Sequence, residues 1–247
     1  MRWLLVGLAI AGCAKAGPGN SIIGGLTDAG ETGTDARPRI DAADPPEPDA
    51  APTDAPPQQV TLTQTVTGSI SDGNSVACQP PFPGVTRPNS YYRVFALSDY
   101  GIATTLHVTE VAFAIQDATS GTGTDQAATL NVGTYAVTPV GDTLDLRQIR
   151  SISSVPLRIP DGHLTRMTVP VAADIPTTTN LIVELAIPAD SLVQNDFFIG
   201  TNQDGERKPG YLRAPTCGYA DPTTLQRVAL DKGYGDIDII LTVTGTM

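Results

Sequence analysis

Apolar and polar residues alternate along much of the chain, which is the pattern of β-strands with one buried face. The pattern is clearest near the C-terminus, where one set of alternate residues is apolar and the other is polar. The apolar set is Ile237, Ile239, Leu241 and Val243, and the polar set is Asp236, Asp238, Thr242 and Thr244. This segment is therefore predicted to be a half-buried strand.

The same two-residue period predicts strands in eight further segments. They are 60–67, 91–97, 106–115, 128–137, 149–157, 167–171, 181–187 and 197–202. Within 106–115 the apolar positions change parity between Val108 and Val111. Because one extra residue would return the apolar side chains to the buried face, a β-bulge is predicted near Thr109 or Glu110.

Turn-forming residues separate the predicted strands, and no amphipathic run has the length of a typical helix. The 247 residues include 24 Gly and 21 Pro, a bias towards strands and turns. The pattern indicates an all-β fold, an antiparallel β-sandwich that is jelly-roll-like, formed by one domain over residues 59–247. The order of the strands stays open.

The first twelve residues have the features of a signal segment. Arg2 precedes an apolar run, 3–10, that is far shorter than the roughly 20 residues of a membrane-spanning helix. Ile10-Ala11-Gly12-Cys13 resembles the lipobox of bacterial lipoproteins at all four positions. The resemblance implies that Cys13 is lipidated and becomes the new N-terminus. Two alternatives remain, a chance cysteine in an ordinary signal peptide and a short membrane anchor.

Lipidation at Cys13 would attach the protein to a lipid bilayer through its N-terminal acyl chains, and several chains make such an attachment lasting. The next residue, Ala14, carries no evident signal for retention in the inner membrane. We therefore expect the protein in the cell envelope, at the outer membrane or the cell surface.

Residues 13–58, the lipidated cysteine and the segment after it, are predicted to form a disordered tether rich in Asp, Ala and Pro. Between 26 and 58 there are eight acidic residues against Arg37 and Arg39, which accounts for six of the eleven net negative charges. A solvated spacer is the favoured interpretation, and an acidic arm for a basic partner is the alternative. The same charge argues against nucleic acid as a partner.

The chain has three cysteines, so lipidation of Cys13 would leave Cys78 and Cys217. Thiols of exported proteins meet an oxidising compartment, and we therefore predict that these two form a disulfide. Two free cysteines, or a metal-binding pair, are the alternatives, although no further Cys or His stands nearby at ligand spacing.

Four segments of the predicted domain resemble a β-sandwich module that is appended to secreted bacterial proteases and other exported proteins. They are 88–95 (PNSYYRVF), 100–102 (YGI), 197–202 (FFIGTN) and 211–218 (YLRAPTCG). The resemblance spans about residues 65–245. It implies an accessory extracellular module without catalytic residues, in which the two cysteines belong together.

Candidates for chemistry are few. His107 and His163 lack metal-site neighbours in the sequence and are interpreted as surface residues; no Gly-x-Ser-x-Gly motif or phosphate-binding loop is present. We therefore predict no catalytic residue, no metal site and no cofactor. Asp236 and Asp238 have a spacing that a pair of glycosidase carboxylates also shows. The favoured interpretation is that acidic residues on the solvent-exposed face of a strand increase solubility and hinder pairing with other strands.

Two other features raise the possibility of a ligand. The loop 202–206 has oxygen-bearing side chains suited to calcium, although a plain hairpin turn is the favoured interpretation. Five tyrosines of the predicted domain are candidates for rings that contact a ligand, with burial as the commoner alternative. They are Tyr91, Tyr92, Tyr211, Tyr219 and Tyr234.

The leading functional hypothesis is a lipid-anchored, monomeric envelope protein that displays an interaction or structural module for a protein or glycan ligand. A hydrolase of envelope polysaccharide and a passive spacer are the alternatives. A cleft with convergent carboxylates or a histidine would favour the hydrolase, whereas scattered acids on a flat sandwich would favour binding.

Overall fold

The computed structural model describes residues 57–79, 87–121, 123–189 and 195–247. The predicted signal segment, Cys13 and the tether up to residue 56 lie outside these residues. The described residues form thirteen strands and one α-helix. The elements are β1 (Gln59–Thr63), β2 (Asn89–Phe95), β3 (Leu106–Thr119), β4 (Asp125–Tyr135), β5 (Ile149–Pro160), β6 (Gly162–Ile175), β7 (Asn180–Ile187), β8 (Asp196–Ile199), β9 (Thr201–Asn202), β10 (Tyr211–Ala214), β11 (Tyr219–Thr224), α1 (Leu225–Lys232), β12 (Asp238–Ile239) and β13 (Leu241–Thr246).

The strands form two main antiparallel sheets. The five-stranded sheet has the order β1-β13-β3-β6, with β8 also paired to β3, and the six-stranded sheet has the order β11-β10-β2-β7-β4-β5. Eight of these strands form nested pairs, β1 with β13, β2 with β7, β3 with β6 and β4 with β5. This nesting is the strand order of a jelly roll, so the predicted antiparallel, jelly-roll-like sandwich is confirmed.

The main core lies between the sheets and consists of the apolar side chains that the alternation predicts. Phe113 of β3, Leu130 of β4 and Leu185 of β7 are at most 1% exposed. A second, smaller apolar cluster lies outside this core. Its buried members are Tyr92, Val94, Tyr135, Leu144, Ile182 and Tyr211. The six-stranded sheet therefore buries side chains on both faces.

The β-bulge predicted in β3 is present. The register of β3 against β6 shifts between Val108 and Glu110, and the register of β13 against β3 shifts between Thr244 and Gly245. A Cβ atom on Gly245 would lie 2.6 Å from the carbonyl oxygen of His107, so glycine is required where the bulged strand approaches.

Prolines within strands mark the edges of the sheets. Pro156 and Pro160 lie in β5, Pro170 in β6 and Pro222 in β11, and each of these strands is the last of its sheet. Proline has no N–H to donate to a neighbouring strand, so its positions agree with this order and hinder pairing with further strands.

An insertion, residues 188–240, separates β7 from β13. It contributes α1, which the alternation did not predict; Thr224 accepts a hydrogen bond from the Arg227 N–H at its start, and Gly233, with φ of 72°, ends it. Among the described residues, no helix has the length and apolar character needed to cross a membrane.

The continuous strand predicted over 236–244 is wrong. Ile240 separates β12, which pairs with β9, from β13, which pairs with β1 and β3. The alternation of β13 reflects one face buried in the sandwich, whereas both residues of β12 are buried although one of them is polar.

Candidate functional site

Five side chains form a polar row across the outer face of the six-stranded sheet. Tyr211, Tyr92, Glu184, Asn131 and Ser154 are opposite one another on the adjacent strands β10, β2, β7, β4 and β5. Residues directly opposite in a sheet project from the same face, and neighbouring strands lie about 4.8 Å apart. The row therefore extends for roughly 19 Å, and its accessible members are Glu184, Asn131 and Ser154, since Tyr92 and Tyr211 are each 2% exposed.

The Glu184 carboxylate at the centre of the polar row is held by its neighbours. The Tyr92 hydroxyl donates to Oε1 at 2.7 Å, and the Asn131 amide donates to Oε2 at 2.9 Å. Each oxygen has further lone-pair sites, so the half-buried carboxylate keeps the capacity to accept hydrogen bonds from a ligand. The two protein donors also fix its orientation before a ligand arrives.

A cavity of about 150 Å³ opens beside Glu184. It is lined by Tyr92, Asn131, Val132, Gly133, Ile149, Ser151, Ile182 and Glu184. Gly133 follows a register shift in β4, and a Cβ atom there would overlap the Arg150 carbonyl oxygen, so glycine is required where β5 approaches. Glu184 is the one carboxylate among the described residues of the lining.

Burial raises the pKa values of the two tyrosines in the polar row. The pKa of Tyr92 is raised far above its usual value of 10.0, first by burial and then by the neighbouring Glu184 carboxylate. Burial also raises the pKa of Tyr211 to about 12. Both phenols consequently stay protonated to a higher pH than a free tyrosine, and the Tyr92 hydroxyl donates its hydrogen bond to Glu184.

The polar row adjoins a second groove at Tyr211. This groove, of about 270 Å³, lies between Thr138, Pro139 and Gly141 on one side and Lys208 and Pro209 on the other. The two cavities share the sheet face over which the smaller apolar cluster is packed. A ligand longer than the cavity at Glu184 could therefore also contact the polar and apolar residues that line the groove at Tyr211.

The five candidate tyrosines do not form one cluster. Tyr91 belongs to the main core, where its hydroxyl donates to the Val76 carbonyl at 2.8 Å. Tyr92 and Tyr211 lie in the polar row, with their rings buried, whereas Tyr219 and Tyr234 line another cavity, beside the disulfide. Tyr234 is the most accessible of the five, with 58% of its surface exposed.

The predicted disulfide between Cys78 and Cys217 is present. Its Cα atoms are 5.8 Å apart, and it links residues 139 positions apart in the chain. Cys78 lies in the connection between β1 and β2, and Cys217 ends a 3-10 turn, Pro215–Cys217, of the insertion. The bridge joins two irregular segments, as predicted.

Both histidines lie at the surface, as predicted. His107 Nδ1 is 2.7 Å from Asp174 Oδ1, and His163 Nε2 is 3.7 Å from Asp72 Oδ2. Each imidazole is 55% exposed. They are far from forming a metal centre, since among the described residues no group of three or more His, Cys, Asp or Glu side chains could hold a metal ion.

The prediction that Asp236 and Asp238 share a wet strand face is wrong. Asp236 is exposed, but Asp238 is 3% exposed and its Oδ2 accepts a hydrogen bond from the Gly205 N–H at 2.9 Å. The insertion covers this side of β12. The two carboxylates therefore have different environments and do not form the pair that their spacing suggested.

Three side chains of the loop 202–206 contact Thr67 and Arg93, which lie outside the loop. Asn202 donates to the Thr67 carbonyl at 3.1 Å, Asp204 accepts from the Thr67 hydroxyl, and Glu206 lies 2.7 Å from Arg93 Nη1. These contacts attach the loop to the β1–β2 connection and to β2. Its oxygens serve packing of the insertion and do not converge on one point.

Glu184 and Asn131 were not singled out from the sequence. Glu184 is the sole charged residue of the run 180–187, on the face opposite to the apolar set, and this isolated charge is the signal that sequence reasoning passed over. Asn131 had no comparable signal, because its importance depends on the register of β4 against β7.

Comparisons with protein families, with curated proteins and with solved structures found no match for this chain.

Proposed function

We propose that the protein is a lipid-anchored envelope protein whose jelly roll binds a glycan along the polar row. The observation that carries the glycan proposal is the Glu184 carboxylate, held by Tyr92 and Asn131 beside an open cavity. A charged acceptor in a fixed orientation forms hydrogen bonds about twice as strong as neutral ones. Sugar hydroxyl groups are donors that match it.

The shape of the sheet face supports an oligosaccharide over a single small molecule. The polar row extends roughly 19 Å, and it passes from the cavity at Glu184 towards the groove at Tyr211. Apolar side chains beside polar ones, such as the partly buried Ile149 in the same cavity as Glu184, suit sugar rings, which present both C–H surfaces and hydroxyl groups. Glu184, Asn131 and Ser154, the accessible members of the row, thus offer polar contacts on three adjacent strands.

The arrangement favours binding over hydrolysis. Hydrolysis of a glycosidic bond uses two carboxyl groups about 5 to 9.5 Å apart, one of which donates a proton. Among the described residues that line the Glu184 cavity there is one carboxylate, and both of its oxygens accept hydrogen bonds from protein donors. Binding requires no second carboxylate.

Titration calorimetry with the detergent-solubilised full-length protein tests the glycan proposal. The probes are defined oligosaccharides of four to six sugars released from envelope polysaccharide. We expect Glu184→Gln to weaken binding about tenfold, because it removes the charged acceptor and keeps the side-chain size. Glu110→Gln, on the outer face of the other sheet, is the matched control and should leave the affinity unchanged.

Two results would contradict the glycan proposal. One is the absence of binding by every oligosaccharide at millimolar concentration, and the other is an equal effect of the two Gln variants. Release of new reducing ends during the titration would instead support the hydrolase.

The lipid anchor rests on the sequence Ile10-Ala11-Gly12-Cys13. Growth with labelled fatty acid should label the wild-type chain and leave a Cys13→Ser variant unlabelled. The mass of the mature protein should correspond to an N-terminal, acylated Cys13. An unlabelled wild-type chain, or a mature N-terminus elsewhere, would refute the anchor without bearing on the polar row.

A further inference from the structure

A cavity of about 190 Å³ lies beside the disulfide, away from the polar row. Its walls come from the β1–β2 connection, from β10 and from the segment that contains β11 and α1. The lining consists of Val76, Ala77, Cys78, Gln79, Leu212, Ala214, Cys217, Tyr219, Val228, Lys232 and Tyr234. A cavity of about 150 Å³ accommodates benzene, so this one has room for a six-membered ring with a small substituent.

The cavity combines an apolar floor with two tyrosines. Leu212, Ala214 and Val228 are at most 1% exposed and form the floor, whereas Tyr219 is half-buried and Tyr234 is largely exposed. Aromatic side chains favour contact with other flat rings, in stacked or edge-to-face arrangements. The lining therefore suits a flat, apolar ring.

Lys232 gives the cavity its charge. It is the one charged residue among the described residues of the lining, and its Nζ lies 5.9 Å from the centre of the Tyr219 ring. Within the part of the chain that the structure describes, Lys232 forms no ion pair. The neighbouring Asp231 is paired with Arg227, at 3.1 Å, and its carboxylate, after burial, also raises the pKa of Tyr219.

The charge of Lys232 contrasts with that of the whole protein. The chain has a net charge of −11, and an unpaired ammonium group beside an apolar cavity attracts an anion. We propose that this cavity binds an aromatic carboxylate, with the ring between Tyr219 and Tyr234 and the carboxylate at Lys232. The site is separate from the polar row and does not depend on the glycan proposal.

The disulfide holds this site together. Cys78 and Cys217 are both in the lining, and their bond ties the wall from the β1–β2 connection to the wall from the insertion. Reduction would leave these walls joined by non-covalent contacts alone. Binding of the aromatic carboxylate should consequently weaken when the disulfide is reduced.

Chemical-shift titration of the full-length protein with benzoate tests the proposal, with benzamide as the neutral probe of the same size. We expect benzoate to bind about tenfold more tightly than benzamide, because the ammonium group recognises the charge. Lys232→Met should abolish this difference, and Lys232→Arg should retain it. Lys208→Met, in the groove at Tyr211, is the control and should also retain it.

Equal affinities for benzoate and benzamide would overturn the proposal, and so would a charge preference that survives in Lys232→Met. No binding of either probe at tens of millimolar would overturn it as well. The Glu184→Gln variant should bind benzoate like the wild type, so failure at the polar row and failure at this cavity are distinguishable.

Discussion

The eight nested strands and the insertion between β7 and β13 are stabilised in different ways. The strands bury alternate apolar side chains in one continuous core, so their stability is spread over many similar contacts. The insertion contributes nine buried side chains to the same core, and it is attached in addition by the disulfide, by a buried ion pair and by polar contacts with the β1–β2 connection. In the insertion, specific contacts of single residues therefore add to the apolar packing.

Arg93 is the main polar attachment of the insertion. Its guanidinium projects from the inner face of β2, is fully buried and lies 2.7 Å from Glu206 Oε2. It also donates to the carbonyls of Lys208 at 2.6 Å and of Ile239 at 2.5 Å. One side chain therefore binds three residues of the insertion, two near its middle and one at its C-terminal end. We infer that this buried charge specifies the position of the insertion on the sandwich.

The largest effect is expected from removal of the disulfide. Cys78→Ser with Cys217→Ser frees a loop of 139 residues, and the unfolded chain gains conformational entropy worth about 4 to 5 kcal/mol. Denaturant unfolding measures the loss, and hydrogen exchange locates it. We expect β10 and β11 to lose protection before β3 and β4. A uniform loss over all strands would contradict the separation between the two regions.

Arg93→Met should cost about 3 to 5 kcal/mol, because it leaves Glu206 buried without its partner and two carbonyls without donors. The matched control is Arg213→Met, at a half-buried position on the outer face, for which we expect less than ~1 kcal/mol. Thermal unfolding of both variants measures the difference. Similar losses would show that the buried contacts of Arg93 contribute no more to stability than those of a half-buried arginine.

Leu130→Ala truncates a fully buried side chain of β4 and should cost about 3 kcal/mol. Since the core is continuous, hydrogen exchange should accelerate in both main sheets together. Val140→Ala, at a position 85% exposed, is the control and should stay within ~0.5 kcal/mol of the wild type. Acceleration confined to β4 and its neighbours would weaken the description of a shared core.

The smallest effect concerns pH. Burial, more than any other cause, raises the pKa of Asp238 above its usual 3.8, and burial likewise raises the pKa of Glu206 above its usual 4.5. The folded state therefore holds these protons more tightly than the unfolded state. Their contribution to stability is complete below the unfolded pKa values and declines as the pH rises through the raised ones.

Asp238→Asn should remove part of the loss of stability at rising pH. The amide oxygen can accept the hydrogen bond from the Gly205 N–H, and the amide does not ionise. We expect the variant to match the wild type in stability at about pH 3 and to exceed it at pH 7, as measured by the melting temperature. Asp236→Asn, at an exposed position, should not change the pH profile. A variant less stable than the wild type at pH 7 would show that the Asp238 charge is stabilising.

Strand prediction from the sequence was more accurate in the jelly roll than in the insertion. Within the jelly roll, the alternation located the strands, and the change of parity in 106–115 located a bulge that the structure contains. In the insertion, the same alternation suggested one strand over 236–244 and a wet face for Asp238, and both were wrong. Burial in the insertion depends on contacts with distant segments, which local periodicity does not encode.

The pattern of apolar residues, the turn residues and the count of cysteines were sufficient for the all-β class, the sandwich and the disulfide. They suffice because each strand must bury one face, and because only two cysteines, Cys78 and Cys217, occur in the predicted domain. The polar row and the cavity beside the disulfide could be identified only from the tertiary structure. Glu184 meets Asn131 and Tyr92 through backbone pairing of strands far apart in sequence, and backbone hydrogen bonds are the same for every side chain.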